Sequence, residues 1–390
     1  MGKNRTFRKV IFKIHRYLGL LSGLIVFMVA VTGCGWVFKE EIEGLYDDYS
    51  TVSPQAAPMI TPTNARKFAK AVFPEKSVHG TLYQEDEKAI EVIFYEAEPE
   101  FYQSVYLDPY SGKVLHVKDH LSGFFAFMLE GHMYLWLPRA IGGKVVSIAV
   151  FLFLFVLLSG LVLWWPKKRK YAKQRLTFKW KATTTWRRKN VDLHRILGFY
   201  GAALAFVLAF TGSVMAFNWF YYAVYKTAGG EKAPQFIIPE NSSFIGTVER
   251  DTLPIDRLIP LLKTETTHAK SYEIHYPHND SSSIYVEVAR SKGLYYDSDY
   301  RFFDQHTLEE IETPSIYGKY KDAHFADKLI RMNYDIHVGA IGGLAGKILA
   351  FLASALIASL PLTGFLSWWG RRKRSGATTK KIPVREGTGI

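Results

Sequence analysis

Four apolar runs, at about 14–38, 143–165, 196–220 and 343–369, decide what this chain can fold into. A helix needs about 20 residues to cross a hydrocarbon core of about 30 Å, and each run reaches that length. Backbone N–H and C=O groups find no water in lipid, so runs of this kind close their own hydrogen bonds as helices. The segments between them are ordinary mixed sequence. The reading is an integral membrane protein, mainly α, with four transmembrane helices.

The net charge of +13 raises the question of nucleic acid, and its distribution answers it. Residues 1–16 carry six Lys or Arg and no acid, 166–190 carry eleven and no acid, and 370–390 carry seven against Glu386 alone. The two long segments are acidic on balance, with sixteen acids against eight bases in 39–131 and eighteen against thirteen in 221–341. Lys and Arg gather on the cytoplasmic side of membrane proteins. Both termini and the 166–190 loop are therefore expected in the cytoplasm, with the two long segments outside. The basic character is topological, and no nucleic-acid partner is expected.

The chain also reads as two copies of one unit. "HRYLGLLSGLIVFMVAVTG" from His15 lies over "HRILGFYGAALAFVLAFTG" from His194 at a constant offset of 179 residues (194 − 15). His15/His194, Arg16/Arg195, Gly19/Gly198 and Thr32-Gly33/Thr211-Gly212 coincide. "SGLVLWWPKKRK" (159–170) likewise matches "TGFLSWWGRRKR" (363–374), and His132 lies over His337 after a one-residue slip. Each half is span, outward domain, span, and the copies run parallel, as in repeats related by an axis along the membrane normal. Cys34, in "VTGC", imitates a lipoprotein cleavage site. Its counterpart Ser213 lies mid-chain, so "TG" belongs to the repeated unit and Cys34 is incidental. A single cysteine also excludes an internal disulfide.

The expected organisation is a cytoplasmic N-terminus and first span (1–38), a first module (39–131), a second span (132–165), a basic loop (166–190), a third span (191–223), a second module (224–336), a fourth span (337–369) and a basic tail (370–390). In the modules, "TPTNARKFAKAVF" (61–73) and "LPIDRLIPLL" (253–262) predict short helices. "AIEVIFYE", "SVYLDPYSGKVLHV", "YEIHYP", "SIYVEVA" and "YRFFDQHTLEEI" predict hairpin strands, with "DPYSGK" as a turn. Two small α+β modules follow.

Of twelve histidines, four occupy matched places. His15 and His194 each head a helical stripe of mostly small residues: Gly19, Gly23, Val26, Ala30 and Gly33 in one span, Gly198, Ala202, Ala205, Ala209 and Gly212 in the other. Such stripes let helices approach closely or leave room for a flat bulky ligand. A twofold relation brings matched residues toward each other, and two facing imidazoles make an axial pair for a haem iron. Arg16 and Arg195 would then serve haem propionates through charge-assisted bonds. His132 and His337 predict a second, outer haem level, where His116, His120 and His324 compete as ligands. The alternative for the whole set is interfacial anchoring and helix packing. No His-Glu-x-x-His zinc signature, Gly-rich nucleotide loop or Ser nucleophile elbow is present.

At "HRYLGL…TG", "LDPYSGKVLHV", "YDIHVGAIGGLAGK" and "TGFLSWW" the sequence resembles the PepSY-associated transmembrane family over nearly its whole length. The resemblance implies PepSY-like modules in the periplasm of a bacterial inner-membrane protein. It also implies two haem b groups held by His15, His194, His132 and His337, and a reductase that passes electrons to a ferric siderophore. The outer pair departs in part, since "EGHMYLWLPRAIGGK" is longer and less regular than "DIHVGAIGGLAGK". The electron donor is left open between quinol, a cytoplasmic reductase and a further subunit. A non-enzymatic envelope protein whose modules bind a partner or peptide is the competing class. A transporter is disfavoured because no span carries a central acid or a broken half-helix.

Overall fold

The computed structural model describes residues 2–166, 173–241, 254–266 and 268–375. Residues 167–172 of the basic loop and 376–390 of the basic tail lie outside the described residues.

In chain order, α1 (Gly2–Trp36), α2 (Lys39–Glu43) and α3 (Pro62–Lys70) precede strands β1 (Val78–Tyr83), β2 (Ile90–Glu96), β3 (Phe101–Leu107) and β4 (Val114–Asp119). Then come α4 (Gly123–Tyr134), α5 (Arg139–Trp164), α6 (Lys173–Leu176), α7 (Trp186–Ala216), α8 (Asn218–Thr227) and α9 (Leu258–Glu265). Strands β5 (Ser271–His275), β6 (Ile284–Ala289), β7 (Ser298–Phe303) and β8 (Glu310–Ile311) lead to α10 (Phe325–Arg331), α11 (Asn333–His337) and α12 (Gly343–Ser375). The chain divides into a helical unit, residues 1–35, 129–216 and 348–390, and a sheet unit, residues 36–128 and 217–347.

The helical unit contains most of the four helices that are long and apolar enough to cross a membrane. Their hydroxyl groups are tolerated because each bonds its own helix. Ser22 donates to Leu18 O at 2.9 Å, Thr32 to Met28 O at 2.8 Å, Thr211 to Val207 O at 2.7 Å and Thr363 to Ser359 O at 2.9 Å. Such back-bonding pairs these four hydroxyls within their own helices. The packing seam is made of Val26 and Ala30 of α1, Phe153, Leu154 and Leu157 of α5, Ala205 and Ala209 of α7, and Ile357 and Ala358 of α12. Small residues on α1 and α7 let these helices close on α5 and α12. Ahead of α5 the chain turns sharply: Leu135 and Trp136 take positive φ, and Pro138 stands at the N-cap. Proline cannot continue a preceding helix, so α4 and α5 are separate.

The sheet unit differs from the expected pair of separate modules. All eight strands form one antiparallel sheet in the order β4-β3-β2-β1-β5-β6-β7-β8. The two halves join through β1 and β5, with Thr81 opposite Ile274, Leu82 opposite Glu273 and Tyr83 opposite Tyr272. Alternation along each strand separates two faces. One face buries Val92, Phe94, Val105, Ile274, Val286 and Val288 beneath α3 and α9. Thr61 caps α3 by accepting from Asn64 N, with Pro62 in the first turn, which is the start signal legible in the sequence. The β3–β4 turn forms at "DPYSGK": Asp108 Oδ1 accepts from Tyr110 N and Ser111 N. Gly112 takes φ +72°, and the Phe68 ring fills the space a Cβ would need.

Candidate functional site

The site is built at one end of the helical unit, where α1, α5, α7 and α12 meet. His15 on α1 and His194 on α7 bring their rings to a centroid distance of 6.2 Å at an interplanar angle of 74°. Neither ring rests on its own helix. His15 Nδ1 donates to Val156 O of α5 at 3.0 Å and lies 3.0 Å from Ser159 Oγ. His194 Nδ1 donates to Leu360 O of α12 at 3.1 Å and lies 2.9 Å from Thr363 Oγ1. A carbonyl only accepts, so Nδ1 carries the hydrogen in both rings and Nε2 carries the ligating lone pair. That is the arrangement in which histidine binds metals, with its second nitrogen held by the protein.

Two glycines allow the rings to lie this close to the neighbouring helices. A Cβ on Gly160 would stand 3.2 Å from His15 Cε1, and one on Gly364 would stand 3.3 Å from His194 Cε1.

Around the rings lies a cavity of about 410 Å³, within the range of about 300–1,000 Å³ for cofactor and ligand pockets. Gly19, Gly23 and Gly198 line it, so the upper part of each small-residue stripe makes room. The remainder of the stripes, Ala30, Ala205 and Ala209, packs helices.

The cavity is apolar apart from its histidines, Ser22, Ser367 and three arginines, Arg16, Arg175 and Arg195. Arg16 reaches Tyr17 OH at 3.1 Å, but its Nε is buried without a hydrogen-bond partner. Arg195 stands 3.8 Å from Asp192 Oδ1, and that carboxylate is shared with Arg188 at 2.9 Å. Burial, and then the charges of Arg195 and Arg8, hold the Arg175 guanidinium below its usual range. A surplus of positive charge beside an apolar cavity suits a ligand with a flat apolar body and carboxylates at its edge.

The other expected residues lie elsewhere. His132, in α4, donates from Nδ1 to Val29 O of α1 at 2.8 Å, and its ring fits against Gly33, where a Cβ would come within 3.1 Å of Cε1. Val29 lies fourteen residues along α1 from His15 (29 − 15), about 20 Å of helix at 1.5 Å per residue. His337 ends α11 in the sheet unit. The competing histidines have local partners in that unit: His116 stacks on Tyr49 at 3.9 Å, His120 Nε2 lies 2.8 Å from Ser104 Oγ, and His324 caps α10. Among the described residues no group of three or more His, Cys, Asp or Glu converges as a metal site. Cys34 lies inside α1 with its Sγ 3.6 Å from Phe351 O.

A family model, the PepSY-associated TM region, matches residues 12–371. The chain belongs to this family. No curated protein matches it. In this PepSY-associated protein His15, His194, Arg16 and Arg195, singled out in the sequence, line one cavity; Arg175, Ser159, Thr363, Gly160 and Gly364 were not singled out. Part of the signal was on view: "SG" at 159–160 lies over "TG" at 363–364 in the same match that aligns the two Trp-Trp pairs.

Proposed function

We propose that this protein is a haem-bearing reductase of the bacterial inner membrane, passing electrons across the bilayer to a periplasmic ferric siderophore. The observation that carries the reading is the opposition of His15 and His194. Two metal–imidazole bonds of about 2.0–2.1 Å each, added to the distances from two ring nitrogens to their centroids, come to about 6 Å. The rings stand 6.2 Å apart, with their Nδ1 atoms already committed to Val156 and Leu360. The residues present thus fit a bis-imidazole iron, and the partnerless Nε of Arg16 fits a propionate. Within the helical unit, His132 presents the same tautomer at a second depth; His337 enters only through the sequence repeat and the family resemblance.

Haem supplies one-electron carriage between Fe(III) and Fe(II) when bound. The chain supplies the rest. His15 and His194 would hold the iron, and Arg16, Arg175 and Arg195 would balance the charge of the carboxylates at the cofactor's edge. Phe153, Leu157 and Trp164 keep water from the cavity. Seats about 20 Å apart along α1 divide a crossing of about 30 Å into shorter steps. The acceptor docks on the sheet unit, in the periplasm by the distribution of Lys and Arg. The sheet face opposite α3 and α9 carries Glu91, Glu273 and Glu287, with Glu273 and Glu287 directly paired across β5 and β6. The net acidity of the two long segments favours a cationic or neutral iron complex over an anionic one.

The deciding experiment is a reduced-minus-oxidised absorbance spectrum of the purified full chain with haem quantified. Low-spin b-type bands at two haems per chain support the proposal. One haem keeps the redox reading and removes His132 and His337 from it. No haem, after expression with haem supplied, overturns it in favour of a PepSY-type binding protein.

A further inference from the structure

The histidine seats share a device beyond the histidines themselves. On α5, Val156 O accepts from His15 Nδ1 at 3.0 Å and also from Ser159 Oγ at 2.9 Å, and Gly160 follows. On α12, Leu360 O accepts from His194 Nδ1 at 3.1 Å and, at 3.1 Å, shares with Ser359 O at 2.9 Å the one hydrogen of Thr363 Oγ1, and Gly364 follows. On α1, Val29 O accepts from His132 Nδ1 at 2.8 Å and, at 3.0 Å, shares with Met28 O at 2.8 Å the one hydrogen of Thr32 Oγ1, and Gly33 follows. The pattern is a carbonyl at i, a hydroxyl residue at i+3 and glycine at i+4. It recurs locally on α7, where Thr211 Oγ1 reaches Leu208 O at 3.1 Å ahead of Gly212.

Helix packing alone explains the glycine. It does not explain why the hydroxyl and the imidazole share one oxygen. A lone carbonyl accepting from Nδ1–H draws the hydrogen toward itself and makes the ring a stronger electron donor to a metal on Nε2. A carbonyl that also accepts a hydroxyl hydrogen has less to give each donor. The hydroxyl oxygen, about 3 Å from Nδ1 in two of the seats, further divides the N–H between two acceptors.

We propose that Ser159 and Thr363 are positioning residues that limit the donor strength of His15 and His194, and so hold the potential of the iron between them higher than an unshared carbonyl would. Thr32 does the same for His132. The inference rests on the haem reading and concerns its regulation by residues that touch no cofactor. Second-shell hydrogen bonding is one of the few levers a protein has over such a potential.

The test is an optical potentiometric titration of the detergent-purified full chain, with electron paramagnetic resonance of the oxidised state. The variants are Ser159→Ala, Thr363→Val, Ser159→Thr and Thr363→Ser. The first two each shift the midpoint of one haem to lower potential, and together shift it further, with haem per chain unchanged. The second two keep the hydroxyl and titrate like the parent. Thr32→Val lowers the midpoint of the other haem only. A parent-like or raised midpoint in both Ser159→Ala and Thr363→Val overturns the inference while the haem reading stands. Loss of haem from Ser159→Ala with retention in Ser159→Thr also overturns it, because the hydroxyl would then be needed to form the seat. A parent chain that binds no haem removes both readings, and the spectrum of the parent separates that case from the others.

Discussion

His15 of α1 and His194 of α7 stand 6.2 Å apart, ring centre to ring centre, and each gives its Nδ1 hydrogen to a different helix, α5 or α12. Four helices therefore meet at two side chains. The rings are oriented by backbone carbonyls, which mutation of neighbouring side chains cannot remove. What mutation can change is the ring, the space beside it and the hydroxyl that shares its acceptor.

On the proposed haem reading, replacing either ring removes one of two ligands to the same iron. His15→Ala and His194→Ala are each expected to abolish the same haem signal and lower the haem content by one per chain, measured by pyridine haemochrome. If only one of them does so, the opposed pair is not the ligand set.

The glycines beside the rings give a gentler perturbation. Gly160→Ala and Gly364→Ala put a Cβ at 3.2 and 3.3 Å from a ring carbon, so each ring must yield by a few tenths of an ångström. Alanine favours a helix over glycine by about 1 kcal/mol, so the helices should not weaken. The expected result is an altered low-spin spectrum at unchanged or slightly raised melting temperature. An unaltered spectrum would mean that the ring's seat is loose.

Cys34 sits within α1, its thiol against the Phe351 carbonyl. Cys34→Ser is conservative there and is expected to change stability by no more than about 1 kcal/mol. Membrane association, followed by fractionation, should be retained. Its loss would restore the lipoprotein reading.

The sheet unit should weaken in acid through His120. Burial, and then the charges of Lys39 and Lys118, bring its imidazole down from 6.5 to about 4. Between those values the unfolded chain binds a proton that the folded one does not, so stability falls as pH drops from 6.5 toward 4. The full shift corresponds to about 3 kcal/mol. Burial raises the Glu91 and Glu287 carboxyls. Their contribution has the opposite sign, fullest at low pH and lost as pH rises above the ordinary carboxylate value. Melting curves of the parent and of His120→Gln between pH 7 and 4.5 isolate the histidine. The variant should lose less stability on acidification, and equal losses would reject the assignment.

How much of this was legible follows from which forces are local. The Thr61-Pro62 start of α3 and the "DPYSGK" turn answer to residues within three or four positions, so they could be read directly. The single sheet was not, because Thr81 and Ile274 pair across about half of the chain and no local pattern says which edge β1 will meet. Arg175 was lost in a run of basic residues whose topological meaning hid its place at the cavity.

The sequence by itself determined four spans, because lipid leaves a long apolar run no choice but a helix. By the match of His15 with His194 it also determined which side chains to watch. Only the tertiary structure decided that Val156 and Leu360 would set the tautomer of those rings, and that Ser159 and Thr363 would share the same oxygens. Those bonds join residues more than 140 positions apart. A carbonyl has no sequence identity, and its role appears only when another helix is packed against it.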